Sequence, residues 1–191
     1  IVGFGPQSSE TLMLICSLKI LYPTYIFAIR GYHEMRSVNM KDHFYKESTK
    51  RFGTEFYEAC QELFDNLPVA CIISEQMLCV SSGIPHDFLN VEQFASLTRP
   101  IPSEKSPAIK EMLTTTPDTG LNEWDEKKPT LPSFKVEFIH EYTDRNGLEV
   151  VIRSHDMVKD GYEFTFDGDP KLLTISTKPS YIVSLDKPGQ P

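Results

Sequence analysis

A short apolar run at residues 25–29, Tyr-Ile-Phe-Ala-Ile, leads directly into the polar pentapeptide Arg-Gly-Tyr-His-Glu at 30–34. An apolar run of this length, followed by a glycine-containing polar stretch, is typical of a short buried strand that enters a turn. We therefore predict a buried strand at 25–29 and a turn at 30–34 that carries polar side chains at the strand end.

Helical and strand patterns alternate along the rest of the chain, which favours an α/β fold. The predicted strands cover 69–73, 77–80 and 149–153, with a final hairpin formed by 162–166 and 171–176. Segment 99–133 is rich in proline, threonine, serine and charge, and we interpret most of it as a long surface loop. The predicted helices begin at Ser8 or Ser9 (inner face Leu12, Ile15, Cys16 and Ile20), at Thr54, at Asn90 and at Lys135.

Composition limits the classes of fold and partner. The chain has 191 residues, of which 40% are hydrophobic, and this predicts one substantial core and a single domain over 1–191. A net charge of −8 and a pI near 5.1 argue against nucleic acid or an anionic membrane as the main partner. No apolar run is long enough to span a bilayer.

The four cysteines lie in apolar contexts without metal-ligand spacing, which indicates buried thiols in a reducing compartment. Cys71 and Cys79 are placed so that they can face each other across the predicted hairpin at 69–80. For an intracellular chain, free thiols are the favoured interpretation of this pair, and a disulfide is the alternative.

Several landmarks in a fixed order resemble the PPP family of metal-dependent serine/threonine phosphatases, the calcineurin-like enzymes. They are the pentapeptide at 30–34, Leu-Pro at 67–68, the stretch 79–85, Ile-Arg-Ser-His at 152–155, Gly-Tyr-Glu-Phe at 161–164, and the segments 173–175 and 178–181. The resemblance covers nearly the whole chain. It implies a calcineurin-like metallophosphoesterase β-sandwich flanked by helices, of which 1–191 is expected to match the C-terminal two-thirds, without the N-terminal part.

The resemblance also implies positions for the metal ligands. Where the family has the asparagine ligand of Arg-Gly-Asn-His-Glu, this chain has Tyr32, and where it has the histidine of His-Gly-Gly, this chain has Ser81. His155 alone matches a metal ligand of the family. A neutral phenol is a poor ligand for hard divalent ions. We therefore expect no bound cofactor; an active form would need two divalent ions such as manganese, iron or zinc.

The acid and phosphate-binding positions are altered as well. His33 matches the family's general acid, and Gly3 stands where the family has the aspartate that pairs with it. Phe4 and Lys128 stand at the two phosphate-binding arginine positions, and Tyr181 matches a substrate-contacting tyrosine. We expect His33, without a carboxylate partner, to be an ordinary turn residue, and Tyr32 to fill the former metal pocket.

These substitutions favour a pseudophosphatase that binds other proteins, such as regulatory or scaffold subunits, and that has no turnover; whether it is an enzyme stays open. One alternative is an active, divergent phosphatase whose further ligands precede Ile1. Another is a structural subunit of a larger assembly, because the family's earlier segments supply core strands and their loss would expose sheet edges. The expected location is intracellular, cytoplasmic or cytoskeletal, with the nucleus also open.

Overall fold

The computed structural model describes residues 1–3, 5–119 and 132–177. The helices of this part are α1 (Ser8–Leu21), α2 (Arg36–Asn39), α3 (His43–Phe52), α4 (Thr54–Asn66), α5 (Glu92–Ala95), α6 (Pro107–Thr114) and α7 (Val136–Asn146). Its strands are β1 (Ala70–Ile73), β2 (Met77–Val80), β3 (Thr116–Pro117), β4 (Ser133–Phe134), β5 (Val150–Arg153), β6 (Tyr162–Phe164) and β7 (Leu172–Ile175). Single 3-10 turns occur at Tyr32–Glu34 and Ser103–Lys105.

The main sheet has five strands in the order β1-β2-β5-β7-β6. The two outer pairs, β1 with β2 and β6 with β7, are antiparallel hairpins, whereas β2, β5 and β7 run parallel to one another. A separate two-stranded parallel ladder joins β3 to β4. The carboxyl ends of β2 and β5 therefore meet at one edge of the sheet, which is where binding sites form in sheets of this kind.

Local signals in the sequence account for the helix ends. The Asp42 side chain accepts a hydrogen bond from the Phe44 amide and caps α3, while Ser106 caps α6 and precedes a proline at the first helical position. Gly147 ends α7 in the left-handed conformation, with φ +64°, that glycine adopts without steric cost.

Buried side chains form three clusters around these elements. One covers the sheet with α7 and contains Leu78, Val151 and Leu172. A second joins α1, α3 and α4, where the amphipathic α4 places Tyr57, Cys60, Gln61 and Phe64 inward. The third packs α6 against Met35 and Val69. Among the described residues, no helix is long and apolar enough to cross a membrane.

The predicted helix from Thr54, the strand at 77–80 and the final hairpin are confirmed. The predicted strand at 25–29 is wrong: within the described part these residues join no strand, and the side chains of Tyr25 and Phe27 are 82% and 69% exposed. Apolar character alone does not make a strand, because a strand also needs a neighbour that accepts its backbone hydrogen bonds. Two helix details also differ, since Ile20 is exposed and Asn90 does not cap α5.

The surface-loop prediction for 99–133 is wrong for its middle portion. Residues Pro107–Thr114 form α6, and Ile109, Met112 and Leu113 of this helix are fully buried. Their spacing of three and four residues is a helical period that the proline content obscured. Residues 120–131 of the segment lie outside the described residues.

The burial of α6 generates a stability prediction. Ile109→Ala removes a fully buried side chain and is expected to destabilise the protein by about 2–5 kcal/mol. The adjacent Lys110 is exposed on the same helix, so Lys110→Ala is the matched control, with an effect within about 0.5 kcal/mol. Urea denaturation followed by circular dichroism measures both, and equal effects would show that α6 does not pack into the core.

Candidate functional site

The turn at 30–34 is anchored by the buried guanidinium of Arg30. Its Nη1 donates to the Ile101 carbonyl oxygen at 2.6 Å, and its Nη2 donates to the Glu34 carbonyl oxygen at 3.1 Å and to Asp65 Oδ1 at 2.8 Å. A buried cation is tolerated only when charge and hydrogen bonds compensate it. Arg30 therefore fixes the turn to two other parts of the chain.

Buried Glu34 connects the same turn to the first residues of the chain. One carboxylate oxygen accepts a hydrogen bond from the Gly31 amide at 2.8 Å, and the other accepts one from the Val2 amide at 3.0 Å. Val2 is itself buried in the cluster of α1, α3 and α4. These contacts hold residues 1–3 directly against the turn.

Gly3 lies against the His33 ring. Its backbone has φ +99°, and a Cβ atom added there would stand 2.3 Å from His33 Nδ1. This separation is far below van der Waals contact, so His33 occupies the space that a side chain at position 3 would need. While Gly3 and His33 hold these positions, a carboxylate side chain at position 3 would not fit beside the imidazole.

Asp42 supplies a carboxylate partner for His33. Its Oδ2 lies 3.1 Å from His33 Nδ1, so the Nδ1–H tautomer donates a hydrogen bond to it, while its Oδ1 caps α3. The expectation that His33 has no carboxylate partner is therefore wrong. The sequence offers one signal for this contact: an Asp immediately before a helical pattern at 43–52, where a helix N-cap is expected.

The Tyr32 ring contacts two imidazole rings. Its centroid is 5.2 Å from that of His33 and 5.1 Å from that of His155, with interplanar angles of 85° and 81°. Both are edge-to-face arrangements, which aromatic rings favour over face-to-face stacking. Tyr32 thus fills space directly beside both histidines.

The ends of the parallel strands β2 and β5 bring Ser81 and His155 to the same edge. The amide and the hydroxyl of Ser154 both donate to the Ser81 carbonyl oxygen, at 3.1 Å and 3.2 Å. Ser81 is buried, and its hydroxyl lies 3.4 Å from the point where a Gly31 Cβ would be. His155 has φ +76°, a conformation that non-glycine residues adopt rarely and that occurs often at functional sites.

Buried Arg153 connects the chain segments that meet at this edge of the sheet. Its guanidinium donates to the Ser82 carbonyl oxygen, to Asp156 and to Thr174. Burial lowers the pKa of Arg153, and the nearby Asp156 carboxylate opposes that shift. All three partners belong to the protein itself, so we assign Arg153 a structural role.

Five of the predicted site residues therefore lie in one continuous cluster of contacts: Gly3, Tyr32, His33, Ser81 and His155. The catalytic or metal-binding roles assigned to them stay predictions. Phe4, Lys128 and Tyr181 lie outside the described residues, and so does the segment at 178–181.

The mixed sheet with a polar site at its parallel strand ends is the architecture of a metallophosphoesterase. A family model for calcineurin-like phosphoesterases matches residues 1–159, and the chain belongs to this family. It is similar to a solved structure of a protein serine/threonine phosphatase from Saccharomyces cerevisiae, described as similar to human phosphatase PP5, at 26% identity and a TM-score of 0.83. The match covers 94% of this chain and 56% of that chain, so this chain spans little more than half the relative's length.

These comparisons confirm that the fold is that of the PPP-family phosphatases. The predicted α/β metallophosphoesterase architecture is correct, with one five-stranded sheet and one two-stranded ladder in the described part of the chain.

The contact between Gly3 and His33 makes a testable prediction. Gly3→Ala combines a left-handed backbone with a clash against the imidazole, whereas Gly5→Ala has a similar backbone, at φ +78°, and open space around it. The left-handed conformation itself costs about 1–2 kcal/mol. We expect Gly3→Ala to destabilise the protein by at least ~1 kcal/mol more than Gly5→Ala.

Thermal and urea unfolding of the two variants measure this difference. His33→Gly should remove most of it, because it also removes the His33 Cβ that would lie 2.8 Å from the added methyl group. If the difference survives intact in the His33→Gly background, the His33 side chain is not what occupies the space beside Gly3.

Proposed function

We propose that this chain is a pseudophosphatase: a phosphatase-like domain that binds proteins and does not hydrolyse phosphate esters. The observation that carries the proposal is the position of Tyr32, whose ring contacts both His33 and His155. In the family, an asparagine metal ligand stands at this point of the motif. An aromatic ring here replaces a ligand and also takes up volume next to the retained histidine.

The donor set around Tyr32 does not fit a pair of divalent ions. Phosphoester hydrolysis of this type needs carboxylate, imidazole and amide ligands that converge on two ions a few ångströms apart. The cluster offers a phenol at Tyr32, a buried hydroxyl at Ser81 and the imidazole of His155. Among the described residues, no three His, Cys, Asp or Glu side chains lie close enough together to hold a metal ion. We therefore propose that this chain has no metal cofactor, and we assign no step to one.

The size of the expected losses in metal affinity and activity favours an inactive protein over one with reduced turnover. Disturbing a residue that merely supports a metal ligand typically costs about 10–100-fold in metal affinity or activity. Here two direct ligand positions, Tyr32 and Ser81, differ from the family. Even allowing for coupling between neighbouring residues, losses of this size combine to remove most of the activity.

Turnover is the direct test of this proposal. With manganese and a phosphorylated peptide, the protein should release phosphate no faster than a blank reaction. The matched control pair is His155→Ala in the site and His86→Ala at a highly exposed histidine far from it in sequence. Neither variant should change the result, because no metal-dependent rate is present to be lost.

The opposite outcome would be equally clear. Phosphate release that depends on manganese, disappears in His155→Ala and survives in His86→Ala would contradict the pseudophosphatase proposal.

A second candidate function is an active, divergent phosphatase, and one observation favours it. The Asp42 carboxylate pairs with His33 Nδ1, so the imidazole remains oriented despite the glycine at position 3. A carboxylate that holds a catalytic histidine fixes both its tautomer and its orientation. In that case the protein would use manganese, iron or zinc held partly by residues outside this chain.

Asp42→Asn tests whether an active form of the protein depends on the contact between Asp42 and His33. Asparagine caps helices about as well as aspartate, so α3 should keep its N-terminus while the charged contact with His33 is lost. An active enzyme that uses this pair should lose about 100-fold in kcat, the scale for a displaced catalytic group. An unchanged kcat would show that catalysis does not depend on the charge of Asp42.

The protein-binding part of the proposal rests on exposed apolar surface. Leu14, Ile20 and Leu21 on α1, together with Tyr25 and Phe27 just after it, are more than half exposed. Large apolar side chains exposed in one segment of a chain favour a site of protein interaction or of chain association. The proposed partners are accordingly proteins, either regulatory and scaffold subunits or the neighbours in a larger assembly.

We predict that the isolated chain self-associates through this surface. Sedimentation velocity should show oligomers, and Ile20→Gln/Leu21→Gln should shift them toward monomer, because both side chains are exposed and apolar. Leu89→Gln, at an exposed leucine in the loop between β2 and α5, is the control and should leave the distribution unchanged. A monodisperse wild-type monomer would contradict this prediction.

A further inference from the structure

Cys71 and Cys79 lie directly opposite each other on the antiparallel strands β1 and β2. Directly opposed residues on such strands have Cα atoms about 4.5–5.5 Å apart and project to the same face. Disulfides join cysteines whose Cα atoms are about 4.4–6.8 Å apart, so the ladder geometry brings this pair within bonding range. The pairing agrees with the hypothesis from the sequence that these two residues face each other.

Both thiols are free and partly exposed. The expectation of four buried thiols is therefore right only for Cys60. Partial burial raises the pKa of the Cys79 thiol, and the neighbouring Cys71 thiol raises it further. β1 is also an edge strand, so a solvent-borne reagent can reach it from the open side of the sheet.

We propose that Cys71 and Cys79 are a modification site: a thiol pair that small-molecule disulfides oxidise to a reversible cross-strand bond. The Cys71 thiolate attacks one sulfur of a low-molecular-weight disulfide and expels the first thiolate. The Cys79 thiolate then attacks the Cys71 sulfur of the mixed disulfide and expels the second. The net change converts one external disulfide and two protein thiols into one protein disulfide and two small thiols.

The bond would act next to the candidate functional site. Cys79 is paired with Ile152 of β5, and β2 continues two residues later into Ser81. A covalent link between β1 and β2 therefore restrains the edge of the sheet from which Ser81 extends. This inference rests on the hairpin geometry and holds whether or not the domain hydrolyses phosphate esters.

The other two cysteines provide an internal comparison. Cys60 is buried, and burial together with the neighbouring Cys16 thiol raises its pKa to about 11. Because thiolates are the attacking species in disulfide exchange, this pair is expected to react more slowly than Cys71 and Cys79.

Peptide mapping of the wild-type chain tests the proposal. The folded protein is incubated with oxidised glutathione at mildly alkaline pH, free thiols are alkylated, and the chain is cleaved after glutamate. Because Glu62, Glu75 and Glu92 separate the relevant cysteines, Cys60, Cys71 and Cys79 fall in different peptides. We expect the peptides that contain Cys71 and Cys79 to lose their alkylation together and to appear as one disulfide-linked pair, which a dithiol reductant separates.

The control variant Cys71→Ser/Ile73→Cys moves the thiol two residues along the same face of β1, to an exposed position. The diagonal distance to Cys79 is then about 7–8 Å, too far for a relaxed bond, so this variant should keep a mixed disulfide with glutathione. The proposal is overturned if wild-type Cys71 and Cys79 stay alkylated or carry only glutathione. It is also overturned if their link forms only between molecules, or if the shifted variant links equally well.

Discussion

The buried guanidinium of Arg30 is the contact on which the arrangement of the site depends. It ties the turn at 30–34 to the carbonyl oxygen of Ile101 and to Asp65 on α4, and so joins parts of the chain that are far apart in sequence. Glu34 extends the same network to Val2. A buried ionic network of this kind is costly to break, because removing one partner leaves the others desolvated.

We propose that residue identities at the site have changed while the fold that positions them has been kept. The turn, the ends of β2 and β5, and the retained His155 are all held in contact, yet the ring of Tyr32 stands where a small amide ligand belongs in the family. His33 has an acidic partner, but that partner is Asp42 and not a residue at position 3. We therefore propose that the fold preserves the placement of the site residues, while their identities do not meet the demands of two metal ions.

The sequence was informative where patterns were local. The amphipathic spacing of α4 and the alternation of the β6–β7 hairpin predict the observed elements, and the ordered landmarks predict the family. The predictions that were wrong concern features that depend on long-range contacts. The run at 25–29 has strand-like composition but joins no ladder in the described part of the chain. Likewise, the partnership of Asp42 with His33 depends on where α3 begins in space, which no spacing rule gives.

We propose that the Tyr32 ring occupies space beside His155 that a metal ion would need. Anomalous scattering from crystals soaked in manganese tests this most directly. The account predicts no anomalous peak within bonding distance of the His155 imidazole and a Tyr32 ring that stays edge-on to both histidines. A peak coordinated by His155, with Tyr32 rotated away, would contradict it.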